Sequence, residues 1–152
     1  MKLAEALQMR ADMNRRIEQV VNRLSNNSLH QEGEKPLEDP EMLLNELNDT
    51  LSELQKMISK INLTNCRTIL DGVTLTEKIA ERDCLQKKIS IYRTFINEAS
   101  QGTRRARMSE IRILPSVNVS ELQKQTDQLS KELRLLDNRI QETNWKTELI
   151  EK

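Results

Sequence analysis

Residues 40–61 read Pro-Glu-Met-Leu-Leu-Asn-Glu-Leu-Asn-Asp-Thr-Leu-Ser-Glu-Leu-Gln-Lys-Met-Ile-Ser-Lys-Ile. Within them Leu44, Leu47, Leu51, Leu54, Ile58 and Ile61 recur at alternating steps of three and four, the repeat that lines one face of an α-helix with apolar side chains. Pro40 suits a first helical turn, where its missing N–H has no intrahelical partner to lose. The stretch therefore predicts a helix that starts beside Pro40 and buries this seam.

Upstream, Leu3, Ala6, Arg10, Met13, Ile17, Val20 and Leu24 make a second seam of the same kind, broken by one charge at Arg10. It predicts a helix from Lys2 to Leu24. Ser25-Asn26-Asn27-Ser28 ends it, because short polar side chains compete for the helix backbone. Residues 29–40 are an acidic loop, with Glu32, Glu34, Glu38 and Asp39 set among Gly33, Pro36 and Pro40. Downstream, Asp71-Gly72 is a turn signal, and Thr68-Ile69-Leu70 with Val73 predicts a short extended pair around it. Thr74 with Glu77 reads as a capping box for a third helix. That helix carries Leu75, Ile79, Leu85, Ile89, Tyr92, Ile96 and Ala99 on its apolar face, with Arg82 on or beside the stripe. Residues 100–117 break the pattern with Gly102, Arg104, Arg105 and Arg107, then a strand-like Glu110-Ile111-Arg112-Ile113, then Pro115. Asn118 with Glu121 caps a fourth helix lined by Leu122, Thr126, Leu129, Leu133, Leu136, Ile140, Thr143, Thr147 and Ile150.

Composition agrees with helices. Over 152 residues there are three Gly, three Pro and 2% aromatics, too few for the turns and β-rich runs of a sandwich, barrel or doubly wound sheet. The fold expected is all-α, a single domain over residues 1–152. It is an antiparallel four-helix bundle of long helices with short strand-like segments near 67–73 and 110–114. Those two segments would lie at opposite ends of such a bundle. Each is then irregular, or pairs with a symmetry mate, or the chain is not a simple up-down bundle. A thin bundle with long seams buries little apolar surface, so a homo-oligomer is expected.

Twenty-four Lys and Arg balance twenty-four Asp and Glu, which argues against wholesale binding to nucleic acid or an anionic membrane. No apolar run approaches the ~18–20 residues of a membrane span. Met1-Lys2-Leu3-Ala4-Glu5 turns polar at once, without the apolar core of a signal peptide. A cytoplasmic setting is expected, with Cys66 and Cys84 as thiols. The lone histidine, His30, sits in a loop, so the Glu-x-x-His pairs of a di-metal bundle are missing; no metal and no cofactor is expected. Glu38 with Glu41 and Glu46 with Asp49 give only fragments of the paired carboxylate motifs with which all-helical nucleotide pyrophosphatases hold magnesium.

Two clusters are candidate sites. An arginine on an apolar stripe is costly unless paired. Arg10, Glu81, Arg82 and Asp83 therefore read either as a polar pocket, where the arginines grip a small anion and a carboxylate orients it, or as a structural ion-pair network. Arg104, Arg105, Arg107 and Arg112 either bind phosphate or an acidic partner, or neutralise the acidic loop. With no catalytic constellation in view, the function expected is a self-associating helical protein that acts through protein–protein contacts. The alternative is a small-anion- or metal-dependent enzyme, or a ligand-binding protein, with its site around Arg10, Arg82 and Asp83.

Several motifs occur in order along the chain: Met-Lys-Leu-Ala-Glu-Ala-Leu (1–7), Gln31-Glu32-Gly33-Glu34 with Pro36 and Glu38-Asp39-Pro40, Leu75-Thr76 with Ala80-Glu81-Arg82-Asp83, Ser109-Glu110-Ile111, and Gln141-Glu142 with Asn144-Trp145. In them the sequence resembles the septicolysin-like family of small bacterial proteins, over nearly its whole length. The resemblance implies a mostly helical cytoplasmic bacterial protein with no established activity and no catalytic residues to carry over. The pore formers that such a name suggests are large, β-rich and carry a tryptophan-rich tip; this chain has one Trp, and lysis is not expected.

Overall fold

The computed structural model describes residues 1–101 and 111–151. Among these the chain is mostly helical, with helices α1 (Leu3–Asn26), α2 (Pro40–Arg67), α3 (Leu75–Ser100) and α4 (Val119–Lys146) and two short strands, β1 (Ile69–Leu70) and β2 (Val73–Thr74). It divides into two compact units, one of Met1–Ile69 with Thr143–Lys152 and the other of Leu70–Glu142. Among the described residues no helix is long and apolar enough to cross a membrane.

In the first unit α1 and α2 pack side by side. α1 buries the seam expected of it: Leu3, Ala6 and Val20 are fully covered, and Met13, Ile17 and Leu24 half-buried. α2 begins where Pro40 places it, behind an N-cap at Asp39 whose carboxylate accepts from the Glu41 N–H at 3.0 Å. Its buried row corrects the sequence reading. The covered side chains are Leu43, Thr50, Leu54, Met57, Ile61 and Thr64, with Leu47 half-buried. Leu44, Leu51 and Ile58 remain 47%, 43% and 37% exposed. The helix is thus turned by about 60° from the orientation the larger side chains suggest. Threonine explains the difference. Thr50 Oγ1 donates to the Glu46 carbonyl and Thr64 Oγ1 to that of Lys60, each at 2.8 Å. A hydroxyl satisfied inside its own helix leaves a β-branched side chain that packs much like valine.

The two chain ends close this unit. Leu3 N donates to Thr147 O at 2.9 Å and Leu149 N to Met1 O at 2.8 Å, an antiparallel bridge that pairs Lys2 with Glu148. Thr64 Oγ1 meanwhile accepts from Ile150 N at 2.9 Å. α4 therefore stops at Lys146, short of the Ile150 end that its seam suggests, because the next backbone groups are satisfied from across the unit. Asn144 is buried at this corner, whereas Trp145 stays 52% exposed.

In the second unit α3 and α4 follow their seams. Thr74 Oγ1 accepts from Glu77 N at 3.2 Å, and the Glu77 carboxylate accepts from Thr74 N at 2.8 Å, completing the capping box. The backbone N–H of Thr74, then its hydroxyl, hold the Glu77 carboxyl below its ordinary range. α3 covers Leu75, Ile89 and Ile96. α4 covers Thr126, whose hydroxyl donates to the Leu122 carbonyl at 2.8 Å, and Ile140. Asn118 Oδ1 accepts from Glu121 N at 3.1 Å, the cap expected there.

The hairpin read at Asp71-Gly72 is present. Both residues have positive φ, 57° and 82°, as a two-residue type I′ turn requires, and β1 pairs with β2 around them. Arg139 of α4 pairs with the Asp71 carboxylate in the turn. The extended piece near 67–73 thus finds its partner four residues on. The strand expected near 110–114 does not form over residues 111–114: Ile111, Ile113 and Leu114 are all exposed, so their alternation has no surface to lie on. Glu110 lies outside the described residues.

Truncating the two rows of α2 distinguishes its orientations. Ile61→Ala removes a fully buried side chain and is expected to cost about 2–5 kcal/mol; Leu51→Ala is expected to cost under about 1 kcal/mol. Denaturant midpoints of the two variants measure the contrast, and equal losses would restore the orientation that the larger side chains suggest.

Candidate functional site

Three places gather side chains capable of recognition. The first is the mouth of the α1–α2 pair. Asn27, buried just past the end of α1, donates from Nδ2 to the Arg23 carbonyl at 2.9 Å and accepts at Oδ1 from Glu38 N at 3.0 Å. That amide draws the end of the acidic loop back onto α1. Glu38 then receives Arg23 Nε at 3.1 Å and Nη2 at 2.5 Å, while Arg23 Nη1 and Arg16 Nη2 reach Glu46 at 3.3 and 3.1 Å. The Glu38 hydrogen bonds raise the Arg23 pKa above its ordinary value, and the Arg23 guanidinium holds the Glu38 carboxyl below the usual carboxylate range. Beside this latch lies an open groove of about 760 Å³, lined by Arg16, Arg23, Glu38, Glu46, Asp49 and Glu53 among others. Carboxylates outnumber arginines there, and both arginines already engage glutamates. Among the described residues no three His, Cys, Asp or Glu side chains come together as a metal site.

The second place is the charged turn of α3. Arg82 donates from Nε and Nη2 to Asp83 Oδ1 at 3.0 and 2.8 Å, and its Nη1 lies 3.6 Å from Asp137 on α4. Its side chain is only 23% exposed. Glu81 turns the other way, to Lys78 at 2.7 Å. The structure thus brings Arg82 together with Asp83 and a partner the sequence did not suggest, Asp137. Arg10 is half-buried on α1, in the other unit. Of the arginine cluster, Arg112 is exposed, and Arg104, Arg105 and Arg107 lie outside the described residues.

The third is the outer face of α2. Leu44, Leu51 and Ile58 form an exposed row seven residues apart, and Asn48, Ser52, Gln55, Ser59 and Asn62 beside them are exposed as well. Cys66, further along α2, and Cys84 on α3 are exposed and not joined in a disulfide. In the second unit Tyr92 and Phe95 line an apolar groove of about 380 Å³ with Val117 and Leu122, and Lys88 Nζ sits 5.5 Å from the Tyr92 ring centre.

The model of a family described as "Family of unknown function (DUF6847)" matches residues 10–149. The chain belongs to that family. A crystal structure of a functionally unknown conserved protein from Corynebacterium diphtheriae is similar to it, with 34% sequence identity, a TM-score of 0.93 and 99% of each chain covered. No curated protein matches it.

For this DUF6847 chain the sequence holds one further signal for the orientation of α2. Leu43, Leu47, Thr50, Leu54, Met57, Ile61 and Thr64 also run at strict steps of four and three, so a second seam was present once threonine counts as a core residue. Arg23 and Glu38 carry no such signal, since nothing in a loop's composition fixes which carboxylate returns to the helix.

The latch makes an acid-side expectation. A carboxylate whose pKa is lowered by folding stabilises the folded state above its unfolded pKa, near ~4.3 for glutamate, and that contribution disappears as pH falls through the lower folded value. Thermal midpoints of Glu38→Gln and the parent are expected to differ at pH 7 and to converge as pH falls below about 4. A difference that stays constant down to pH ~3 would remove the latch from the stability of this unit.

Proposed function

We propose that this DUF6847 chain is a self-associating helical protein that acts through protein–protein contacts. One observation carries the proposal: α2 turns the smaller of its two apolar rows inward and leaves Leu44, Leu51 and Ile58 at the surface, on a chain whose residues are 32% charged. A regular apolar row kept in water is a liability for a monomer and a contact surface for an assembly. The antiparallel four-helix packing that the seams suggest, a cytoplasmic setting and the kinship with septicolysin-like proteins belong to the same proposal. Each fits a chain whose apolar groups are arranged along long helices.

The alternative, an anion or ligand site around Arg10, Arg82 and Asp83, meets a local obstacle. Any anion at Arg82 must displace Asp83 and compete with Asp137 for the same guanidinium, and burial does not isolate the group enough to strengthen its hold. A ligand bound only by the folded form raises the melting temperature, so inorganic phosphate is expected to leave it unchanged. A rise that Arg82→Gln abolishes would favour the alternative.

Self-association itself is tested by light scattering and sedimentation over a wide range of concentrations. The mass is expected to rise with concentration from one chain towards a multiple of it. A single-chain mass throughout would overturn the proposal.

A further inference from the structure

The turn between β1 and β2 is built from a reactive pair of residues. The carboxyl carbon of an aspartate can be attacked by the backbone nitrogen of the next residue, closing a five-membered ring. A following side chain obstructs that approach, and glycine has none. Of the three glycines in the sequence, Gly33 follows Glu32, Gly102 follows Gln101, and only Gly72 follows an Asp or Asn. Asn27-Ser28 is a second pair with a small following residue. Its amide is buried and held at both ends, by the Arg23 carbonyl at 2.9 Å and Glu38 N at 3.0 Å.

At Asp71 the chemistry runs in two steps. The Gly72 nitrogen attacks Asp71 Cγ. The new C–N bond forms, one carboxyl C–O bond breaks, and the amide proton leaves with that oxygen in a molecule of water. Water then opens the cyclic imide at one of its two carbonyls. Opening at Cγ returns aspartate. Opening at the backbone carbonyl leaves isoaspartate, in which the main chain runs through Cβ and Cγ and the free carboxylate sits on Cα. Water is the only reagent. The turn is exposed, and among the described residues no atom lies within 4 Å of the place a Cβ would take on Gly72, so solvent reaches it.

Two features of the fold oppose the first step. Asp71 and Gly72 hold φ at 57° and 82°, the left-handed values of a type I′ turn. Such a turn sets ψ of its first central residue near about +30°, which points the next nitrogen away from Cβ. Ring closure needs that nitrogen on the same side as Cβ, so the turn must open first. β1 and β2 have two residues each, and so short a hairpin is marginal by itself. The second feature is Arg139, whose guanidinium reaches from α4 to pair with the Asp71 carboxylate. The carboxyl group must leave this contact before it can swing towards Gly72. The pair spans 68 residues of sequence, so it also ties the turn to α4 within the second unit.

We infer that Asp71-Gly72 is a site of spontaneous conversion to isoaspartate, and that Arg139 and the hairpin together hold the reaction off in the folded protein. Arg139 is a positioning residue here: it takes no part in the chemistry and acts by where it keeps the carboxylate. Conversion adds one carbon to the main chain inside a two-residue turn, which removes the β1–β2 pairing, and it moves the carboxylate off the side chain that Arg139 grips. The inference does not depend on self-association.

Ageing the purified protein at neutral pH and body temperature tests it. Peptide mapping by mass spectrometry and methyl transfer by an isoaspartyl methyltransferase read out the product. The parent unfolded in urea is expected to accumulate isoaspartate at residue 71, and the folded parent at least about tenfold more slowly, because only the locally opened hairpin reacts. Folded Arg139→Gln is expected to convert several-fold faster than the folded parent, with the same helical content by circular dichroism, and Arg139→Lys to lie nearer the parent. In urea all three convert at one rate, which separates the loss of a guard from a change in intrinsic reactivity. Asp71→Glu, whose longer side chain closes the larger ring far more slowly, is expected to lose the methyl-accepting signal. Folded and unfolded parent converting at the same rate would overturn protection by the fold. A folded Arg139→Gln no faster than the parent would overturn the role of Arg139. Methyl acceptance that survives in Asp71→Glu would overturn the assignment of the site.

Discussion

The choice of which row of α2 faces α1 governs the rest of the first unit. Two rows compete, offset by about 60° round the helix. The row with more leucine and isoleucine loses to the row with Thr50 and Thr64, because helical back-bonding removes the cost of burying their hydroxyls. Once that side is inward, Glu46 faces α1 and receives Arg16 and Arg23. Thr64 comes to lie where its oxygen accepts the N–H of Ile150, and the tail is fixed. The same rotation leaves Leu44, Leu51 and Ile58 outside.

The helices, their caps and the hairpin were legible in the sequence because each is encoded within a few residues. Thr74 with Glu77, Asn118 with Glu121, Pro40 behind Asp39, and Asp71-Gly72 all act where they stand. What was not legible depends on partners far along the chain. The orientation of α2 is set by α1, and both available rows satisfied the same periodicity. The stop at Lys146 depends on backbone groups of Met1 and Leu3, more than 140 residues away in sequence by their numbering. Arg82 was visible as an oddity on an apolar stripe, but its contact with Asp137 needed α4 beside α3.

Several short motifs of the sequence acquire structural meaning one by one. Glu38-Asp39-Pro40 is a latch, an N-cap and a first helical residue in succession. The N-terminal Lys-Leu-Ala-Glu and the Asn144-Trp145 segment flank one corner, where Lys2 Nζ donates to the Lys146 carbonyl at 3.3 Å and pairs with Glu148 at 2.5 Å. Hydrogen bonds from Lys2 and from the amino group of Met1 hold the Glu148 carboxyl below its ordinary range. Ala80-Glu81-Arg82-Asp83 carries ion pairs on two sides of one helical turn. These motifs mark joints of the architecture, and the exposed row of Leu44, Leu51 and Ile58 on α2 lies outside them.

The first unit is also discontinuous: its final segment, Thr143–Lys152, follows the whole of the second unit in the chain. During synthesis α1 and α2 emerge long before the residues that complete their corner, while Leu70–Glu142 is made in one piece. An early α1–α2 pair on the ribosome lacks the Ile150 N–H at Thr64 and the pairing of Met1 and Leu3 with Leu149 and Thr147 until that later segment emerges. For a helical protein, whose contacts are usually local and quick to form, this imposes an unusually long wait between the first helix and its final neighbours.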